Sequence, residues 1–175
     1  MAYRTLHLLV IAALLCACSE IQQESDMPIY EGPILELDNA ETFYSDSAVV
    51  RIKMDAPKQL EFENNDREFQ EGIYIEFYDT DGTLSSNLKA NYCYYYAKED
   101  KWRALGNVIV RNVENNEQLN TEELYWVPEE EMVYTNKFVR IEAEGLIQMG
   151  EGLEAKQDFS WYKILNMRGT IDLNE

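Results

Sequence analysis

The chain has 175 residues, of which 46% are apolar and 27% charged. That is one domain's worth of ordinary globular sequence and excludes a disordered polypeptide. Asp and Glu number 33 against 15 Lys and Arg, a net charge of −18, which repels nucleic acid and anionic headgroups and excludes binding along a phosphate backbone.

The first element is a leader. Arg4 gives a positive start, and residues 8–17 form an apolar run. Ten residues span roughly 15 Å as a helix, about half of a hydrocarbon core, so the run reads as a signal peptide over residues 1–17 and not as a membrane span. It ends in Leu15-Cys16-Ala17-Cys18, which resembles a bacterial lipobox: Ala17 fits the cleavage position and Cys18 the cysteine that receives lipid. A plain secretory signal cut after Ala17, leaving Cys18 a free thiol, is the alternative. Two acyl chains on Cys18 would anchor the protein stably. Cleavage removes Arg4 and leaves 14 basic against 33 acidic residues, a net of −19. The mature chain keeps only Cys18 and Cys93, so with Cys18 lipidated no internal disulfide is expected and stability must come from packing.

Residues 18–33 are polar and carry Pro28, Gly32 and Pro33, as expected of a tether. The ordered domain is expected over residues 34–175. From there the pattern is strand after strand. Ile73, Ile75 and Phe77 alternate with Tyr74, Glu76 and Tyr78; Val108 and Val110 alternate with Asn107, Ile109 and Arg111; Val139 and Ile141 alternate with Arg140 and Glu142. This is period two, half-buried strand. Asp79-Thr80-Asp81-Gly82, Asn115-Asn116, Pro128-Glu129-Glu130 and Gly150-Glu151-Gly152 punctuate the segments. Short strands at this spacing mean a sandwich, barrel or jelly roll.

An internal echo supports stacked hairpins. Leu88, Ala90, Cys93, Tyr95, Ala104, Val108 and Val110 recur 31 positions later as Leu119, Thr121, Leu124, Trp126, Thr135, Val139 and Ile141, with a weaker third copy from Leu153 and Ala155. Each unit is a strand, a polar tip and a return strand, and stacking buries what one hairpin cannot. Leu119 and Thr121 stand on odd positions but Leu124 and Trp126 on even ones. Either a β-bulge shifts the phase or both faces are covered.

The chemistry is chiefly an absence. The one histidine, His7, lies in the leader, so the mature chain has no Ser-His-Asp or Cys-His system and no histidine-containing zinc site. Neither GxxxxGK[ST] nor GxGxxG occurs. With 33 carboxylates a pair at glycosidase spacing arises by chance, so abundance alone gives little support to a carboxylate hydrolase. Asp79-Thr80-Asp81-Gly82 lacks the remaining ligands of a calcium loop and reads as a hairpin turn. Cys93 has no basic neighbour in sequence to lower its pKa and reads as a packed thiol. Tyr92–Tyr96, Trp102, Trp126, Phe159 and Trp161 line either a core or a ligand cavity. No enzyme activity and no cofactor or metal is expected.

The segments at residues 104–110, 119–126, 134–141 and 150–155, among them Leu119-Asn120-Thr121-Glu122-Glu123-Leu124-Tyr125-Trp126 and Gly150-Glu151-Gly152-Leu153-Glu154-Ala155, look like the repeating hairpins of the lipopolysaccharide-export jellyrolls. Within that group the chain is similar to the LptC family, in the lipoprotein form of Bacteroidetes-type bacteria, over roughly residues 30–171. The resemblance implies an all-β, twisted β-jellyroll of OstA-like type built of stacked antiparallel hairpins. It implies a periplasmic protein anchored by lipid, at the inner membrane, beside an ABC transporter. Such a protein takes lipid A acyl chains of lipopolysaccharide into its trough and passes them to the next jellyroll by edge-strand pairing. The family often carries an N-terminal membrane helix, which the lipobox replaces here. Ser19, following Cys18, is not the Asp that retains enterobacterial lipoproteins at the inner membrane. On the period-two reading the trough is lined by Ile73, Ile75, Phe77, Val108, Val110, Val139, Ile141 and Phe159, which a dry core would use equally. The alternative is a structural envelope lipoprotein that binds a protein through an exposed β edge.

Overall fold

The computed structural model describes residues 30–172. The leader, Cys18 and most of the tether lie outside the described residues. The strands are β1 Leu35–Asp46, β2 Val49–Glu61, β3 Arg67–Phe69, β4 Ile73–Tyr78, β5 Leu84–Ala90, β6 Tyr92–Tyr96, β7 Lys101–Asn112, β8 Glu117–Val127, β9 Met132–Ala143, β10 Leu146–Lys156 and β11 Tyr162–Asp172. A single 3-10 turn, Pro128–Glu130, joins β8 to β9. All pairings are antiparallel within one sheet of eleven strands.

The chain path is simpler than the strand count. β4 and β3 lie end to end along β2, and β6 and β5 lie end to end along β7. The molecule is therefore an up-and-down meander of long strands, each interrupted near its middle. The interruptions line up across the sheet. Asn39 and Pro57 drop out of the β1–β2 ladder, residues 70–72 separate β3 from β4, and Asn91 separates β5 from β6. The ladders then shift between Leu105 and Val108, between Thr121 and Tyr125, between Glu151 and Leu153, and between Met149 and Gly150. Several residues on this line have left-handed backbone: Asn39 (φ 51°), Gly72 (98°), Gly106 (70°), Asn107 (47°) and Gly152 (79°). Runs of extended φ/ψ build flat ladders, whereas left-handed residues and bulges bend and twist a strand. At Gly72 the turn is also crowded, because a Cβ would sit 2.9 Å from the Ala90 carbonyl oxygen, so only glycine fits.

The sheet is doubled across this line into two limbs. The first limb holds β4, β5 and the abutting parts of the longer strands; the second holds β3, β6 and the remaining parts. Their inner faces meet, as Phe77 of β4 packs edge-on against Trp126 of β8 at 5.1 Å between ring centroids. Such a doubled antiparallel sheet is the jellyroll that the family resemblance implied, and one of the three architectures the alternation allowed. The phase puzzle in β8 is resolved as a bulge: burial runs on Leu119 and Thr121, slips at residues 122–124, and resumes on Leu124 and Trp126. One expectation is corrected. Gly150-Glu151-Gly152 is no connection but lies inside β10, and the turn falls at Glu144 and Gly145 instead. The glycine serves a close approach, since a Cβ on Gly150 would lie 2.4 Å from Ile164 Cγ2 and 2.5 Å from the Asn166 carbonyl oxygen on β11.

Candidate functional site

Residues directly opposite in an antiparallel ladder point to the same face, so the registers give the inner lining rung by rung. In the first limb one rung runs Thr42, Met54, Ile75, Leu88, Val110, Leu119, Ile141. Beside it runs Tyr44, Ile52, Phe77, Ser86, Asn112. In the second limb an aromatic rung runs Arg67, Tyr95, Trp102, Trp126, Val133, Ala155, Tyr162. Trp102 stacks on Phe69 at 5.6 Å and lies 5.7 Å from Trp126. The lining is thus aliphatic on one wall and aromatic on the other.

All eight residues expected to line the interior face it together. Ile73, Ile75, Phe77, Val108, Val110, Val139, Ile141 and Phe159 are each 3% exposed or less and belong to one apolar cluster. The interior is filled in this state. Of the eight, Ile73 alone also borders an open cleft of about 630 Å³, which lies where β2 leaves β4 and is edged by Asn39, Ala56, Pro57, Gly72 and Lys89. The aromatic run Tyr92–Tyr96 straddles the sheet: Cys93 and Tyr95 face inward, while Tyr92 and Tyr94 face outward and donate to Glu68 (2.5 Å) and Asp66 (2.9 Å). Trp102, Trp126 and Phe159 are core, and Trp161 is half exposed. Burial pushes the Cys93 thiol up to about 12, which leaves no thiolate at neutral pH and fits a packed residue.

The edges were not resolved by sequence reasoning. Among the described residues β1 pairs only with β2 and β11 only with β10, so each presents an outer side to which another strand can add. Both strands carry inward-facing apolar residues beyond the packed core. On β1 these are Leu35 (44% exposed) and Tyr44 (64%), and on β11 Met167 (55%), opposite Gly150 and in line with Val139. The signal was present as unexplained Leu35-Glu36-Leu37 alternation beside the tether.

Three buried polar side chains were also missed. Glu123 faces outward on β8 yet is almost wholly buried. Arg103 donates to it through Nε at 2.7 Å and pairs through Nη2 at 2.6 Å, Lys137 stands at 3.4 Å, and Tyr125 donates its hydroxyl at 3.1 Å. Burial alone would raise its pKa, but these donors outweigh burial and hold the carboxyl below its usual range. Ser86 and Asn112 face the interior, where only the 157–161 loop offers them distant partners. The Asp79 turn closes as a hairpin, with the Asp79 amide donating to the Thr83 carbonyl at 2.9 Å. Among the described residues no group of three His, Cys, Asp or Glu side chains could hold a metal ion.

These features define a class: an all-antiparallel jellyroll with an apolar interior and, among the described residues, two edge strands that pair on one side. The profile of the family described as "Lipopolysaccharide-assembly, LptC-related" matches residues 8–172. The chain belongs to that family, and its role lies in lipopolysaccharide transport across the periplasmic envelope of Gram-negative bacteria. The family is a transport family and not a known enzyme family. No curated protein matches the chain.

Proposed function

We propose that the protein is a lipid-anchored carrier in lipopolysaccharide export, held through Cys18 and shielding lipid A acyl chains between its limbs on their way from the inner-membrane ABC transporter to the next periplasmic jellyroll. The observation that carries this reading is the continuation of the inner lining past the core onto both edge strands, at Leu35, Tyr44 and Met167. In an isolated globule that exposure is a cost. Where another sheet adds to the edge, the exposed residues become part of one continuous apolar wall. Burial of acyl methylenes, at about 0.8 kcal/mol each, supplies the driving force, and the packed side chains that must be displaced offset it, so the ligand can leave again. The same edges would serve a purely structural lipoprotein, and lipid capture separates the two.

The test is photocrosslinking in cells. A photoreactive residue in place of Val108 or Ile141 is expected to capture lipopolysaccharide, and one in place of outward-facing Arg140 is not. Absence of lipopolysaccharide adducts at every interior position, with the protein folded and partner-bound, refutes the carrier role and leaves the structural one.

A further inference from the structure

The doubled sheet has a hinge side, where its interruptions lie, and a mouth, where the strand ends of the two limbs face each other. One connection crosses the mouth. The 157–161 loop follows β10 on the second limb, and its backbone is taken up by the first. Ser86 Oγ of β5 donates to the Gln157 carbonyl at 2.9 Å, and Asn112 Nδ2 of β7 donates to the Asp158 carbonyl at 2.7 Å. From the second limb, Trp126 Nε1 donates to Gln157 Oε1 at 2.8 Å, and the Gln157 amide donates to the Glu131 carbonyl at 2.9 Å. The loop places Phe159 inside, 3% exposed, beside Tyr162. Phe159 has φ of 58°, a conformation a bulky residue holds only when its surroundings impose it. A small, mostly polar gap of about 70 Å³ lies at the root of the loop, bordered by Arg51, Tyr78, Glu131 and Gln157.

We propose that the 157–161 loop is a latch on the mouth. Closed, it seals the lining with the Phe159 ring; open, it withdraws that ring and leaves a slot against Phe77 and Trp126 that receives a fatty acyl chain from the side. The inference rests on the carrier reading and adds its point of access. The argument comes from what the ties are made of. A wholly buried serine and a buried asparagine are costly in an apolar interior, and an apolar contact would seal a permanent closure at least as well. Hydrogen bonds to backbone carbonyls differ in that water replaces them when the loop lifts. Polar ties combined with a strained residue place this segment at the low-stability end of the fold, where opening is cheapest.

The experiment uses the full chain in detergent, with a photoreactive phenylalanine analogue in place of Phe77 and lipopolysaccharide micelles as probe. Ser86→Ala, Gln157→Leu and the double variant each remove ties while leaving the aromatic lining in place. Loop amides are expected to exchange hydrogen about tenfold faster in the double variant, as losing ties of ordinary worth implies, with amides of β7 to β9 unchanged. Capture is expected to be faster by a similar factor. Unchanged loop exchange in the double variant overturns the latch. A loosened loop with capture at the wild-type rate also overturns the latch and leaves the carrier reading standing. Capture in no variant, wild type included, overturns both.

Discussion

Glu123 shows how a single residue can be hidden from pattern reading. It stands at the bulge in β8, where an outward position becomes covered, and Arg103, Lys137 and Tyr125 close over it. Because its folded pKa lies below the usual carboxylate value, its contribution is fully present above the unfolded pKa and is lost as pH falls through the folded one. Glu123→Gln is expected to cost about 1.5–3 kcal/mol at neutral pH, the worth of hydrogen bonds to a charged group. The difference in melting temperature from wild type should shrink as pH falls through and below the usual carboxylate range, as the carboxyl protonates. Thermal melts of both proteins across pH check this, and a constant difference would show that Glu123 acts through shape alone. Ser86 and Asn112 hid for a related reason. Their burial was readable from the alternation with Leu88 and Val110, but their partners lie 71 and 46 residues away, and nothing local identifies such a partner.

At the scale of elements, strand type and face were legible wherever alternation was unbroken. Ile73, Ile75 and Phe77 are inward as the period-two pattern requires, and so are Val108, Val110, Val139 and Ile141. The interruptions were legible only as a fault in phase, because a bulge is a relation between two strands and one strand's sequence shows half of it. Gly150 was misread as punctuation for the same reason: a glycine that admits β11 looks like one that makes a turn. The edges carry the prediction at this scale. Met167 is exposed and leaves the core untouched, so Met167→Asp is expected to shift stability by no more than about 0.5 kcal/mol. A charge placed in the apolar continuation of the wall is nevertheless expected to abolish co-purification with the next jellyroll. Retained co-purification would mean that β11 is not the donor edge.

The described β domain is a hinge, two walls and a mouth. On the proposed carrier role, the chain's net charge of −18 would keep anionic lipopolysaccharide headgroups away from the outer faces and leave the apolar interior as the favourable contact for the lipid. Depletion of the protein is expected to stall newly made lipopolysaccharide at the inner membrane, read by fractionating the envelope, and a variant lacking Cys18 should fail to restore export. Normal export on depletion would remove the protein from the pathway.

The sequence by itself determined the all-β class of the fold and which residues of the alternating strands face inward. Those follow from composition and from alternation along a strand, which are local. Tertiary structure decided how the wall is folded. The line of left-handed residues and bulges doubles the sheet, brings Phe77 against Trp126, buries Glu123 on the outer face and carries the 157–161 loop across to Ser86 and Asn112. Each of these depends on which strands lie side by side and where their ladders slip, and such pairing energies exist only between segments distant in the chain.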